Sequence, residues 1–232
     1  MPRKYKLAKG ILIAIEGIDG AGKTTQVLRL RNYFSEVGIP VANFKEPTDG
    51  EYGNQIRTLS RHGRHLSPKD EFEIFLNDRI EDCKLNINPA LEQNKLVLMD
   101  RYYFSNIAYQ SVLGLEIDYI VQKNEEIAPI PDLVIILDVA AKVGLNRILY
   151  SRKEEHNHFE REDYLNSVRK VFRNLDAPYI QLIDATADAD TIFSQLKNII
   201  QDMVAPHRRE NYSQFDLFEK AAQKENLVRL KN

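Results

Sequence analysis

The sequence predicts an α/β fold: a three-layer sandwich in which a five-stranded parallel sheet carries helices on both faces. Three observations predict it. Five short strand-like runs are spread along the chain: ILIAIE (11–16), VANFK (41–45), KLVLMD (95–100), DLVIILD (132–138) and YIQLID (179–184). Stretches with helical spacing separate them, and strands alternating with helices pair in parallel through crossover connections. Finally, the first run leads at once into a glycine-rich turn, EGIDGAGKTT (16–25), and a helix.

The elements follow in order. ILIAIE is apolar on both faces and reads as a buried strand. A helix starts at Lys23 and runs through Val27, Leu28, Leu30 and Phe34 to a stop near Gly38. After VANFK, residues 51–65 are mixed, with a helical patch at Gln55–Ser60. Ser67-Pro68-Lys69-Asp70 is a helix start, with a capping serine, proline at the first helical position and an acid in the first turn. That helix is expected to reach about Gln93. Helical stretches at 102–114 and 117–126 lie between the third and fourth strands, and another covers 141–152. A charged segment, SRKEEHNHFERED (151–163), precedes a further helix, the fifth strand and a last helix at 188–203. No proline- or glycine-rich linker divides residues 1–204, which read as one domain. Residues 205–232 form a separate segment. Its FDLFEKAAQKENLVRL has helical spacing and is expected to pack as a helical extension on the domain or on a partner chain.

Composition narrows the function classes. The chain has 232 residues, 43% hydrophobic and 28% charged, enough to bury a real core. A net charge of −2 gives little support to binding a nucleic-acid polymer. One cysteine, Cys83, rules out an internal disulfide and suits a reducing compartment. The basic start, MPRKYKLAKG, is followed by too short an apolar run for a signal peptide or a membrane span. A soluble cytoplasmic protein is expected.

Gly17, Gly22, Lys23 and Thr24 fit the G-x-x-x-x-G-K-[ST] pattern of a phosphate-binding loop, placed between a strand and a helix as that loop requires. The fold is therefore expected to be of the P-loop NTPase type. Backbone N–H groups of Gly17, Ile18, Asp19, Gly20, Ala21, Gly22, Lys23, Thr24 and Thr25 would surround the phosphates of a nucleoside triphosphate such as ATP. Lys23 would reach the β- and γ-phosphates, and Thr24 would ligate Mg²⁺. Asp19 is unexpected in an anion cradle. It should meet a sugar hydroxyl, an arginine or a metal-bound water, or else bond its own backbone as a turn residue.

Projected at 100° per residue from Phe72, the helix after Ser67 has an apolar stripe of Phe75, Leu76, Ile80, Cys83, Ile87 and Ala90, and Arg79 falls inside it at about 340°. A buried guanidinium needs partners: a carboxylate from the protein, such as Asp78 or Asp82, or an acceptor on a ligand. Phe75, one turn earlier, would suit a planar heterocycle. After the third strand, Ser105, Asn106 and Tyr109 share a helix face with Leu113, a polar patch where a core stripe is expected. It begins at the carboxyl end of a parallel strand, where ligands bind in open α/β sheets. Asp100 is placed to hold Mg²⁺ through water, and Arg101 to clamp a phosphate.

Taken together, EGIDGAGKTT (16–25), KEPT (45–48), FLNDR (75–79), DRYYFSNIAYQ (100–110), PDLVIILDV (131–139) and IDAT (183–186) resemble the thymidylate kinase family of nucleoside-monophosphate kinases. The resemblance runs from about residue 10 to 204 and leaves the tail outside. It implies transfer of the ATP γ-phosphate to dTMP, giving dTDP and ADP for dTTP synthesis, with Mg²⁺. It also implies a homodimer formed through helices. By the same resemblance Asp19 meets the 3′-hydroxyl of the monophosphate, Phe75 stacks on thymine and Arg79 donates to a thymine carbonyl. Ser105 and Asn106 line the base edge, and Tyr109 sits under the sugar. Arg101, Lys45 and Arg57 hold the acceptor phosphate, while Asp184, Ala185 and Thr186 lie near the adenine.

Four positions depart from the family pattern. Lys45 stands where the family often has arginine. Gly20 stands where some members place a catalytic arginine; in members without it a lid arginine does the work. The lid is expected at about 151–161, where Asn157-His158-Phe159-Glu160 replaces the common Asp-Arg-Phe-Glu. Its basic candidates are Arg147, Arg152, Lys153 and Arg161, and Arg152 is the expected catalytic residue. Arg147 is also expected on the ATP side. His156 and His158 read as solvated rather than metal-binding. The runner-up function is a kinase for another (deoxy)nucleoside or nucleoside monophosphate. A GTPase switch finds no guanine reader, since Asn94-Lys95-Leu96-Val97 lacks the acid and begins a strand.

Overall fold

A computed structural model describes residues 5–62, 66–152 and 158–210, apart from the side chains of 61–62, 150–152, 158–161 and 210. The five expected strands form one parallel sheet. They are β2 (Ile11–Glu16), β3 (Val41–Lys45), β4 (Leu96–Asp100), β5 (Leu133–Asp138) and β6 (Ile180–Asp184), following a short β1 (Tyr5–Leu7). The order across the sheet is β3-β4-β2-β5-β6. Every residue of β2 and β4 is buried, as central strands covered on both faces must be. The register pairs Ile15 with Asp100 and Ile15 with Ile135, so the carboxyl ends of the central strands finish level with one another.

The helices flank this sheet: α1 (Lys23–Glu36), α2 (Glu51–His62), α3 (Pro68–Asp82), α4 (Asn88–Glu92), α5 (Tyr103–Val112), α6 (Ile117–Glu125), α7 (Ala141–Arg152), α8 (His158–Asn174) and α9 (Ala189–Val204). α1 packs on α9, while α5 packs on α6 and α8. Val27, Leu30 and Phe34 bury the inner stripe of α1 as its spacing requires. Ser67 caps α3, its hydroxyl accepting from the Asp70 N–H at 3.2 Å.

The helix expected from Ser67 to Gln93 is present with one change. Between α3 and α4 it widens into a π-turn, Cys83–Ile87. Within α3 the buried face holds Glu71, Asp78, Arg79 and Asp82 beside Phe72 and Leu76, and Ile80 is 44% exposed rather than in the stripe. The apolar residues alone misplace the centre of this face because four of the six residues it buries are charged. Cys83 is buried at the π-turn, and burial pushes its thiol up to about 12, which leaves it inert.

The two-stranded ribbon was not expected. β1 pairs antiparallel with β7 (Arg208–Glu210), which follows a short 3₁₀ turn, Ala205–His207. Residues 205–210, assigned by the sequence to a helical extension, instead tie the two ends of the described chain together. The FDLFEKAAQKENLVRL stretch lies outside the described residues, as do Lys153, His156 and Asn157 of the expected lid.

Two ion pairs to one carboxylate fasten the helix that follows that lid. Asp138, at the end of β5, accepts from Arg169 Nε at 2.6 Å and Nη2 at 2.9 Å, and from Arg173 Nη1 at 3.0 Å. The carboxylate is 11% exposed and Arg169 27%. Arg169→Ala is expected to cost about 1–2 kcal/mol, read as a lower denaturation midpoint. An unchanged midpoint would show that solvent screens the pair.

Candidate active site

The loop after β2 is shaped by glycines with positive φ. Gly22, at φ 99°, precedes the first residue of α1. Gly20, at φ 77°, has no room for a side chain: a Cβ there would lie 2.1 Å from the carbonyl oxygen of Gly144 in α7. Backbone conformation and close approach both demand glycine. An arginine at this position would have to push α7 away, which accounts physically for the departure noted at Gly20.

Lys23 folds back over the loop, its Nζ donating to the carbonyls of Ile18 at 2.8 Å and Gly17 at 3.0 Å. Burial, and then the charge of Arg101, push its ammonium down to about 7, against the pull of Asp19, Asp100 and Glu16. Beside it, the Thr24 hydroxyl donates to Asp100 Oδ2 at 2.5 Å, so the two expected metal ligands meet at the carboxyl ends of β2 and β4. Both are hard oxygen donors. Among the described residues no cluster of three or more His, Cys, Asp or Glu could cage an ion. A lone hydroxyl–carboxylate pair fits Mg²⁺, which keeps waters and takes phosphate oxygens for its other positions.

Asp19 meets an arginine, one of the partners its place in the loop suggested. Arg101 Nη2 donates to Asp19 Oδ1 at 2.6 Å, and Nη1 donates to Ser105 Oγ at 2.9 Å. The guanidinium lies over the Tyr109 ring, 5.3 Å from its centroid. Burial pulls the Arg101 charge down, but Tyr109, Asp19 and Glu16 together push it well above its ordinary value. The base-edge candidate Ser105 thus uses its hydroxyl between Glu16, 2.6 Å away, and Arg101.

Arg79 is 2% exposed and held by the protein. Its carboxylate partner is Glu46, from the segment after β3, not Asp78 or Asp82. Nε donates to both Glu46 oxygens at 3.2 and 3.1 Å, and Nη2 also donates to Glu46. Nη1 donates to Asn106 Oδ1 at 2.6 Å and to Asn124 Oδ1. Burial pushes the Glu46 carboxyl up to about 7, and Arg79 pulls against it. Asp78 is used elsewhere, accepting from the Thr48 N–H and hydroxyl. Phe75 is half-buried, one turn before Arg79.

The remaining candidates lie around the same strand ends. Lys45 is exposed, with Nζ 4.0 Å from Asp100 Oδ2. Arg57 donates to the Pro47 carbonyl at 3.1 Å and to Asn54. Lys45, Pro47, Thr48 and Arg57 line a cavity of about 610 Å³, which Phe75 and Arg101 do not line. On the far side of the loop, Arg147 Nη2 donates to the Ala185 carbonyl at 3.0 Å, and Asp184 accepts from the Thr186 N–H at 2.9 Å in a tight turn. The side chains of Arg152 and Arg161 lie outside the described residues. Sequence reasoning missed Glu16, Glu46 and Asn124. Glu16 carried a signal, an acid closing an otherwise apolar strand.

A phosphate loop that meets an arginine at the head of the neighbouring strand's helix, on a parallel sheet of this order, defines a class, the P-loop NTPases. Within it the chain belongs to the thymidylate kinase family, whose family model matches residues 15–196. The chain is 42% identical over 196 residues to the thymidylate kinase of Desulfotalea psychrophila, covering 83% of this chain and 96% of that protein. It is 42% identical over 213 residues to the thymidylate kinase of Xanthomonas campestris pv. campestris, covering 92% of each. The match to the "Probable thymidylate kinase" of Archaeoglobus fulgidus is 41% over 202 residues, 87% of this chain and all of that protein.

Proposed function

We propose that this chain transfers the γ-phosphoryl group of ATP to dTMP, giving dTDP and ADP. The observation that carries the reading is the 2.6 Å contact between Asp19 and Arg101, which joins the triphosphate loop to the head of the acceptor helix. An incoming acceptor phosphate would take the place Asp19 holds on Arg101. Asp19 would then turn to the 3′-hydroxyl of the same nucleotide.

The chemistry asks mainly for charge neutralisation. A phosphate monoester is largely dianionic at neutral pH, so no strong general base is required. Lys23 would move from the Gly17 and Ile18 carbonyls onto the β- and γ-phosphates. Arg101, together with Lys45 and Arg57, would hold the acceptor. Arg152 from the lid would reach the transferring group, and closure would exclude water. Thr24 and, through water, Asp100 would hold Mg²⁺, which would supply positive charge to offset that of the phosphates. Arg147, Asp184, Ala185 and Thr186 would line the adenine side.

For the base, Phe75 would stack and Tyr109 would lie under the sugar. Of the five N–H groups of Arg79, one hydrogen on Nη2 has no protein acceptor among the described residues, and that one can serve a thymine carbonyl. Asn106, its Oδ1 already taken by Arg79, presents its amide hydrogens beside Gln110. The exposed Ile80 on the outside of α3 suits a homodimer through helices, which light scattering would measure. No described helix is long and apolar enough to cross a membrane. A cytoplasmic setting accords with the single buried thiol.

A coupled ADP-release assay with a panel of nucleosides and monophosphates tests the reading. dTMP is expected to be turned over best; a faster nucleoside or a different monophosphate would replace it with the runner-up. Proton linkage gives an independent check. With the Lys23 ammonium at about 7 in the free protein, most of it is neutral at pH 8. Bound phosphates favour the charged form. ATP binding at pH 8 is therefore expected to be accompanied by proton uptake, measured by calorimetry in buffers of different ionisation enthalpy. The permanently charged Lys23→Arg variant should show no uptake.

A further inference from the structure

We propose that Glu16 is the positioning residue of the acceptor site: its carboxylate caps α5 and, through Ser105, aims Arg101 at the incoming phosphate. The proposal rests on the dTMP-kinase reading and deepens it.

Glu16 is the last residue of β2 and has no exposed surface. A carboxylate there must be matched by donors. Its Oε1 accepts from the Tyr102 N–H at 2.7 Å and the Ser105 N–H at 3.1 Å, and its Oε2 accepts from the Ser105 hydroxyl at 2.6 Å. Ser105 Oγ accepts from Arg101 Nη1, so its own hydrogen goes to Glu16. Glu16 therefore only accepts, which is the pattern of an ionised carboxylate.

Tyr102 is the residue before α5, and its side chain makes no cap hydrogen bond. A capping box would satisfy the N–H groups of this residue and of the third helical residue from within the helix. Here a single carboxylate from a neighbouring strand does both. Its negative charge also favours the helix start electrostatically. Tyr102 itself is left to fill the core, its hydroxyl donating to the Pro129 carbonyl at 3.0 Å.

The turn that Glu16 holds is a strained one. Arg101 has φ 73°, a left-handed conformation that a residue with a side chain rarely adopts. Its N–H donates to the Ile15 carbonyl at 3.1 Å, and the next N–H, of Tyr102, goes to Glu16. Adjacent residues of β2 thus pin both sides of this turn. From there the chain of contacts runs Glu16–Ser105–Arg101–Asp19 and ends on the phosphate loop.

The test uses the full chain with Glu16→Gln, which keeps the shape but cannot accept on both ends. kcat/KM for dTMP is expected to fall at least tenfold, while the Kd for ATP stays within about twofold and circular dichroism is unchanged. Ser105→Ala should fall in the same direction, Ser105→Thr should recover most of the loss, and the Glu16→Gln/Ser105→Ala double variant should be no worse than Glu16→Gln alone. Equal losses toward dTMP and ATP, additive effects in the double variant, or dTMP kinetics unmoved would each overturn the proposal. Should Glu16→Gln fail to fold, Ser105→Ala decides: dTMP kinetics within twofold of wild type overturn it. The functional reading stands or falls on the wild-type chain; this proposal does so on the difference between wild type and variants.

Discussion

Lys23→Ala is expected to lower kcat for phosphoryl transfer by about a thousandfold or more, with dTMP binding kept. Lys23 is 6% exposed and held against the loop at 2.8 and 3.0 Å, so its charge sits where the bridging oxygens of a bound triphosphate would pass. Its effect grows as charge develops between the two nucleotides, because burial removes the water that would screen it. The loss should therefore appear in kcat as well as in ATP affinity. Steady-state rates with saturating dTMP and titrated ATP measure it, and activity within tenfold of wild type would sink the assignment of this loop. The fold should tolerate the change: the Gly17 and Ile18 carbonyls lose a donor, but a buried amine whose charged form burial disfavours leaves with it.

How legible was this site in the chain? The sheet was, because a strand covered on both faces must be apolar throughout, and ILIAI and LVLM meet that requirement locally. The loop was, because glycine spacing and its strand–helix setting are local too. Arg79 could be recognised as buried from helical period alone. Its partner could not. Glu46 lies 33 positions away in sequence, and a nearby Asp78 or Asp82 offered the shorter path. Helix geometry turns Asp78 toward Thr48, and Asp82 bonds Asn86 instead. The ribbon of β1 and β7 is short, polar and joins residues about two hundred positions apart, so periodicity carries no trace of it. Gly20 shows the same limit from the other side: the glycine is visible, but the Gly144 carbonyl that forbids any Cβ is a tertiary fact.

Arg79→Ala is expected to act twice, and the two effects can be separated. Glu46 would be left buried at 3% exposure with its carboxylate unpaired, and Asn106 and Asn124 would lose their common donor. Breaking a buried pair from one side costs about 3–5 kcal/mol, so the denaturation midpoint should fall steeply. KM for dTMP should also rise well above that for ATP, since the hydrogen available to a base carbonyl disappears. Neutralising both partners of the pair distinguishes fold from recognition. In Glu46→Gln/Arg79→Met the unpaired charge is gone and the volume is kept, so most of the stability should return. The KM for dTMP should not. If dTMP affinity recovers together with the midpoint, Arg79 serves the base pocket only by holding the fold, and the thymine-carbonyl role fails. If stability returns alone, the arginine carries two duties, bracing the wall of the acceptor pocket through Glu46 and Asn124 and offering its one remaining hydrogen to the base.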